Sequence, residues 1–245
     1  MPRILVVVPT YNERLNIEAL MRQIFKVCPE VEVLTVDDNS PDKTGELLDK
    51  LIADDVFSGK LHVLHRAGKL GLGTAYIEGF DWGIKHNYDT FISMDADFSH
   101  NPNYLPEMVK QLQNADLVIG SRYVKGGGVE DWSLLRQFIS RGGNIYAQCV
   151  LFSGVHDLTG GFNGYHAEWL KRINFEKVAS KGYCFQIEMK FRHILGGAKV
   201  KEFPIIFTDR IMGKSKMNSH IFKEAVLNVL KISLTRRSIK RQMRA

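Results

Sequence analysis

The feature that most constrains this chain is a repeated pairing: a short apolar run, a polar break, then apolar residues at helical spacing. Arg3 to Val8 is followed by Leu15, Ile17, Leu20, Met21, Ile24 and Phe25, with Pro29 ending the helix. Val31 to Val36 leads through Ser40-Pro41-Asp42 to Leu47, Leu48, Leu51 and Ile52. Leu61 to Leu64 gives way to a glycine-flanked loop, Gly68 to Gly73, and then to Ala75, Ile77, Phe80 and Trp82. The Phe91–Met94 run is stopped by Asn101-Pro102, which starts a helix around Leu105 to Leu112, and Asp116 to Gly120 forms a fifth run. Such alternation over about 120 residues predicts a doubly wound, mostly parallel α/β sheet with helices on both faces. Continuous rather than alternating apolar runs fit strands covered on both sides.

In open sheets of this kind, ligands bind beyond the carboxyl ends of the strands. Two runs end there in acids: Asp37-Asp38-Asn39-Ser40 and Asp95-Ala96-Asp97. The first run ends in Pro9-Thr10-Tyr11-Asn12-Glu13, not a G-x-G-x-x-G phosphate loop, so the dinucleotide-binding version is excluded. Gly71-Leu72-Gly73 reads as a flexible turn. Two hard oxygen donors at Asp95 and Asp97 suit Mg²⁺ or Mn²⁺ together with substrate phosphates. In an extended strand they would point to opposite sides, so a shared ion requires the strand to end near Ala96. The alternative is a solvated turn in which Asp97 or Ser99 caps the next helix.

An apolar fraction of 44% and a charged fraction of 24% are those of a globular protein. Cys28, Cys149 and Cys184 form no C-x-x-C pair and read as reduced core residues of a cytosolic protein. No signal peptide or membrane-spanning run is expected. The net charge of +6 is localised: Lys231, Arg236, Arg237, Lys240, Arg241 and Arg244 lie in the last 15 residues with no acid. Without them the remaining 27 basic residues equal the 27 acids. A neutral body and a basic run without interleaved aromatics argue against nucleic acid. Ile221, Phe222, Ala225, Val226, Val229 and Leu230 recur at helical spacing before that run. A 221–234 helix of about 21 Å is too short to span a core of about 30 Å. It could lie in the membrane interface or pack on the core ahead of a disordered tail.

Beyond Arg122 the pattern loosens. Lys125 to Gly128 reads as a mobile connection, and Leu134 to Phe152 as a helix interrupted at Gly142-Gly143. Asp157 to Phe162 reads as a turn-rich link, Trp169–Ile173 and Phe185–Leu195 as helices, and Val200–Phe207 as a last strand. Glu188, on an apolar helix, suits pairing with a nearby cation. The eight histidines show no metal spacing and read as surface or core.

Taken in order, P-T-Y-N-E from Pro9, V-D-D-N-S from Val36, M-D-A-D from Met94, G-S-R-Y from Gly120 and Asp209-Arg210 with Gly213-Lys214-Ser215-Lys216 resemble the dolichol-phosphate (polyprenol-phosphate) mannose synthases. The segment from Ser180 to Met189 adds to the match. These are inverting glycosyltransferases of family 2 with the GT-A fold. The resemblance covers nearly the whole chain and implies a GT-A domain over 1–220, with a nucleotide half to about 122 and an acceptor half from about 123. An amphipathic helix and basic tail would follow over 221–245. It implies a nucleotide pocket of Pro9, Tyr11, Glu13, Val36 and Asp38, and a metal and diphosphate site of Asp95, the Ala96 backbone and Asp97. Arg122, Arg210 and Lys216, joined by Arg136, would be the cations shared by donor diphosphate and acceptor phosphate. Some members have Gln as a third metal ligand where this chain has Ser99, and many carry C-terminal membrane helices that this chain lacks.

The implied reaction moves mannose from GDP-mannose to a polyprenyl phosphate at the cytoplasmic membrane face, with peripheral membrane contact or a separate membrane-spanning partner. UDP-glucose or another nucleotide sugar would suit the same scaffold. An acceptor phosphate, with a second pKa of about 6, needs orientation but no deprotonation, which would account for a basic cluster without a catalytic histidine. Two non-enzymatic readings compete: a receiver-like, phosphate-responsive module, which would leave the Arg136-to-Lys216 half without a task, and a membrane adaptor recruited by its basic tail.

Overall fold

The computed structural model describes residues 2–180, 182, 184–209 and 219–244. In chain order its elements are β1 (Ile4–Thr10), α1 (Ile17–Val27), β2 (Glu32–Asp37), α2 (Thr44–Ala53), β3 (Leu61–His65), α3 (Leu72–Lys85), β4 (Thr90–Ser93), α4 (Leu105–Leu112), β5 (Leu117–Ser121) and β6 (Gly128–Glu130). There follow α5 (Leu134–Leu151), β7 (Asn163–His166), α6 (Ala167–Lys171), α7 (Cys184–Gly196), β8 (Val200–Pro204), β9 (Ile206–Thr208), α8 (Ser219–Leu234) and α9 (Arg236–Arg244). The main sheet runs β3-β2-β1-β4-β7-β5-β8, and its pairings are parallel except where β7 lies antiparallel between β4 and β5. A separate parallel ribbon joins β6 to β9.

The sheet separates two apolar layers, as a side-chain period of two requires. Leu5 and Val7 of β1 join the layer with Tyr76, Phe80, Phe91 and Phe185. Ile4, Val6 and Val8 join the other, with Ile17, Leu20, Met21, Leu48 and Met108. On the first side α3 sits close to the sheet: a Cβ at Gly83 would stand 2.3 Å from Phe91 and one at Gly79 2.5 Å from Val7. Glycine at these two positions sets that spacing.

Three parts of the second half differ from the sequence reading. The 163–166 segment, left unassigned between the turn-rich link and the next helix, is the antiparallel strand β7, placed by Asn163, whose amide donates to Gly160 O and Gln186 Oε1. The expected single last strand changes partners at Ile205, leaving β5 as β8 and pairing with β6 as β9. Helix α5 runs unbroken through Gly142-Gly143. A run of 18 helical residues carries the cost of two glycines, about 1 kcal/mol each.

The basic run is also no loose tail. It forms α9, with Ile239 and Met243 buried in the same apolar layer as Val229 and Ile232 of α8. Gln242 further accepts a hydrogen bond from Arg192 at 3.1 Å. The side chains of Ile221 and Phe222 lie outside the described residues. Among the described residues no helix is long and apolar enough to cross a membrane.

Candidate active site

Strand β4 ends at Ser93, before the acids, so Asp95 and Asp97 stand on the loop beyond it. Phe98 has a positive φ of 62°, a conformation L-residues rarely adopt, and it turns the chain toward Pro102. Asn101 caps that turn, accepting from Asn103 N at 3.0 Å. The strand thus ends short of Ala96, and Asp95, Ala96 and Asp97 line one cleft of about 480 Å³.

Each carboxylate is oriented from behind. Ser99 donates its Oγ–H and its backbone N–H to Asp97 Oδ1, at 2.6 and 3.2 Å. Ser99 is thus an orienting partner of Asp97 here. Buried Tyr76 donates to Asp95 Oδ1 at 3.3 Å. The Asp95 backbone N–H donates to His100 Nδ1 at 3.0 Å. That contact makes Nδ1 an acceptor and places the imidazole proton on Nε2, which is buried without a hydrogen-bond partner among the described residues. Burial lowers the His100 pKa, against the pull of Asp95 and Asp97.

The same cleft is bordered by Pro9, Tyr11, Glu13 and Asp38, with Lys69 and Gly71 beside them. The Lys69 ammonium lies 4.2 Å from the Tyr11 ring centre. Asp38 is ion-paired to buried Arg66, which also donates to Thr74 at 2.7 Å and meets Glu78 at 3.0 Å. Desolvation raises the Asp38 pKa despite Arg66. Val36, by contrast, is fully buried in the core, its side chain against Gly79, so its side chain does not line the cleft. Gly182, Cys184, Ala225 and Asn228 close the far wall, making α8 part of the site.

Arg122 lies at the end of β5 and is 8% exposed. Its Nε and Nη2 donate to Asp157 Oδ2 and Oδ1, both at 2.8 Å, and Nη2 also donates to Thr159 at 2.6 Å. Asp157 further accepts backbone N–H groups of Arg122, Thr159 and Gly160. Beneath this loop, fully buried Lys190 donates to the carbonyls of Leu158 and Gly160. Burial pushes the Lys190 pKa down to about 7, against the attraction of Asp157. The loop reaches the acids as well: Ser93 Oγ donates to Gly161 O at 2.6 Å, and a Cβ on Gly161 would sit 3.7 Å from the Asp95 carboxylate and 3.1 Å from His100.

Arg136, on the first turn of α5, is ion-paired to Asp209 and lies 4.1 Å from the Trp132 ring centre. Phe207 meets Trp132 edge-on at 5.4 Å and His100 at 5.3 Å, linking this group to the Asp95 loop. Arg210 and Lys216 lie outside the described residues. Glu188 pairs with Arg192 at 2.7 Å in the core and accepts the Ser180 N–H, a structural role.

Sequence reasoning thus found seven residues that share the cleft, Pro9, Tyr11, Glu13, Asp38, Asp95, Ala96 and Asp97, whereas Arg122 and Arg136, expected to join them, do not line it. It missed His100, Asp157, Lys190, Trp132 and Asp209. The last was quoted only as part of a motif, although an acid directly before a candidate phosphate-binding arginine is itself a pairing signal.

A family model described as glycosyl transferase family 2 matches residues 5–173. The chain is 45% identical over 228 residues to a polyprenol monophosphomannose synthase of Mycolicibacterium smegmatis, covering 93% of this chain and 85% of that protein. It is 43% identical over 235 residues to an undecaprenyl-phosphate mannosyltransferase of Micrococcus luteus, covering 96% of both. In fold it is similar to glucosyl-3-phosphoglycerate synthase of Mycobacterium tuberculosis, solved with Mn²⁺, UDP and glucosyl-3-phosphoglycerate: TM-score 0.66 at 17% identity, covering 96% of this chain and 80% of that one. A mannosyltransferase of Pyrobaculum calidifontis, solved with GDP-Man and Mn²⁺, gives a TM-score of 0.58 at 15% identity, covering 99% and 73%. With a GT-A-like sheet, the matching family model and relatives at this level of identity, the chain belongs to glycosyl transferase family 2 and is a glycosyltransferase.

Proposed function

We propose that this enzyme transfers mannose from GDP-mannose to a polyprenyl phosphate, with inversion at the anomeric carbon. One observation carries the reading. A single cleft is bordered by Pro9, Tyr11, Glu13 and Asp38 on one side and by Asp95, Ala96 and Asp97 on the other, in a chain 43–45% identical to two enzymes named for mannosyl transfer to such lipids. The first group would hold base and ribose. Asp95 and Asp97 would hold Mg²⁺ or Mn²⁺, and their hard oxygen donors on one cleft fit such an ion. When bound, the ion would neutralise charge growing on the departing diphosphate.

The acceptor's phosphate oxygen would attack C1 of the sugar while the C1–O bond to GDP breaks and its electron pair leaves with the diphosphate. Arg122 and Arg136, with Arg210 and Lys216, would orient and compensate the acceptor. On this reading residues up to about 122 serve the donor, about 123–220 the acceptor, and 221–245 the membrane side. The test offers labelled GDP-mannose or UDP-glucose with polyprenyl phosphate and Mn²⁺ or Mg²⁺. Labelled lipid formed from GDP-mannose is expected, and label entering lipid only from UDP-glucose would overturn the donor assignment.

The enzyme would work peripherally at the cytoplasmic membrane face. The support is an apolar surface shared by two packed helices. Phe138, Ile145 and Phe152 recur every seven residues along the exposed side of α5 and its end, joined by Leu134 and Leu135. On α8, Leu227, Leu230 and Leu234 are exposed, and the helices are tied by Tyr146 OH donating to Val226 O at 3.1 Å. Exposed apolar surface of this extent marks an interaction site. Leu135→Ser with Phe138→Ser should weaken co-sedimentation with anionic vesicles by at least about tenfold, since each side chain contributes about 1.5–3 kcal/mol when buried. Unchanged co-sedimentation would favour a separate membrane-spanning partner on this face.

A further inference from the structure

The two arginines assigned to the acceptor side are held very differently. The Arg122–Asp157 pair is sealed, with side chains 7% and 0% exposed and backbone donors also committed to the acid. The Arg136–Asp209 pair is open, each side chain 31% exposed. Its partners come from separate elements that fix them independently. Ser133 caps α5, accepting Arg136 N at 3.3 Å, while Asp209 N continues the β6–β9 ribbon by donating to Glu130 O at 3.2 Å. Trp132 underlies the guanidinium at 4.1 Å, so the cation keeps its place whichever anion faces it.

We infer that Asp209 is a stand-in for the acceptor's phosphate: its carboxylate holds Arg136 in the acceptor-free enzyme, and a phosphate group takes its place when the acceptor arrives. This rests on the reading above that Arg136 serves the acceptor. The exchange is chemically balanced. No bond is made or broken; a monoanionic carboxylate, one-third exposed, gives up Arg136, and a phosphate that is mostly dianionic near pH 7 takes over a planar cation able to bind it through two N–H groups. Arg136 would then never stand as a bare charge beside Arg122. The acceptor would be selected by its second negative charge, since a monoanionic head would gain little over the carboxylate it replaces.

The test uses the full chain and inorganic phosphate as probe, with Trp132 emission as reporter and a Trp132→Phe variant to subtract Trp82 and Trp169. Asp209→Asn should tighten phosphate binding and lower the acceptor KM by about two- to fivefold, the weight of a partly exposed ion pair, while leaving the KM for the sugar donor unchanged. Asp209→Ala should do the same, which guards against an artefact of the asparagine amide. If Arg136→Ala weakens phosphate binding and both Asp209 variants fail to tighten it, the stand-in role is refuted and the acceptor role of Arg136 survives. If Arg136→Ala alters neither phosphate binding nor acceptor KM, the acceptor assignment itself falls, and this inference with it.

Discussion

Replacing Asp97 with alanine should lower sugar transfer by about 10²–10³-fold or more, the usual effect of removing a group that stabilises transition-state charge, while the protein stays folded. Asp97 borders the cleft next to Asp95, and its main described anchors are local, the hydroxyl and backbone N–H of Ser99. Its loss would remove half of the proposed ion-holding pair. It would also strand the Ser99 hydroxyl, a cost of about 1–3 kcal/mol, which a protein of this size can absorb. Ser99→Ala should be milder, about tenfold, because the carboxylate remains but one of its oxygens is no longer held. Three measurements separate these cases: initial rates of lipid labelling, Mn²⁺ binding followed by electron paramagnetic resonance, and thermal melting. Mn²⁺ affinity should fall steeply for Asp97→Ala and modestly for Ser99→Ala, with both melting near the parent. An Asp97→Ala enzyme keeping more than a tenth of the parent rate would refute the assignment of these carboxylates.

The half of the site visible in the sequence is the half built from local chemistry. Asp95 and Asp97 stand one residue apart, sit where an apolar run stops, and need only a turn of the chain to face one cleft. The same holds for Pro9 to Glu13 and for Asp38, each just past the end of a strand that the pattern of apolar runs already located. What sequence could not show is long-range pairing. Nothing local to Asp157 marks it as the partner of Arg122, 35 residues away, and nothing in the Phe185–Leu195 helix singles out Lys190 until the loop it latches is placed above it. His100 read as a surface or core histidine. It is a core histidine, and among the described residues its hydrogen bond comes from the backbone N–H of the first acid. Strand β7 escaped for a different reason: Asn163-Gly164-Tyr165-His166 has no apolar alternation, and it becomes a strand because β4 and β5 offer it two ladders. The family resemblance suggested the proposed roles of Arg122 and Arg136, but not the carboxylates that hold them.

Those hidden partners make Asp157→Asn the most damaging change expected outside the cleft. Asp157 is fully buried, and Arg122 is nearly so. Burial alone would raise the Asp157 pKa, but Arg122, with Lys190 behind it, holds it well below the ordinary 3.8. A carboxyl depressed on folding contributes stability that is fully present above about 3.8 and is lost as pH falls below that toward the folded value. Asparagine removes that contribution at neutral pH and leaves a guanidinium buried without its counter-ion, a penalty of about 3–5 kcal/mol, or roughly 10 °C in Tm for a chain of this length. The variant's stability should also fall less steeply than the parent's between pH 4 and 3. Activity should drop further than stability explains, because asparagine offers one acceptor oxygen where the carboxylate offered two, so Arg122 loses one of the two bonds to residue 157 that set its guanidinium plane. Arg122→Met combined with Asp157→Asn separates the two effects. With both charges gone and an amide oxygen kept for the backbone N–H groups of Thr159 and Gly160, most of the melting temperature should return, since a buried ion pair contributes little net stability once neither charge is left alone, yet transfer to the polyprenyl phosphate should stay lost. If activity returned with stability, the pair would be serving the fold alone.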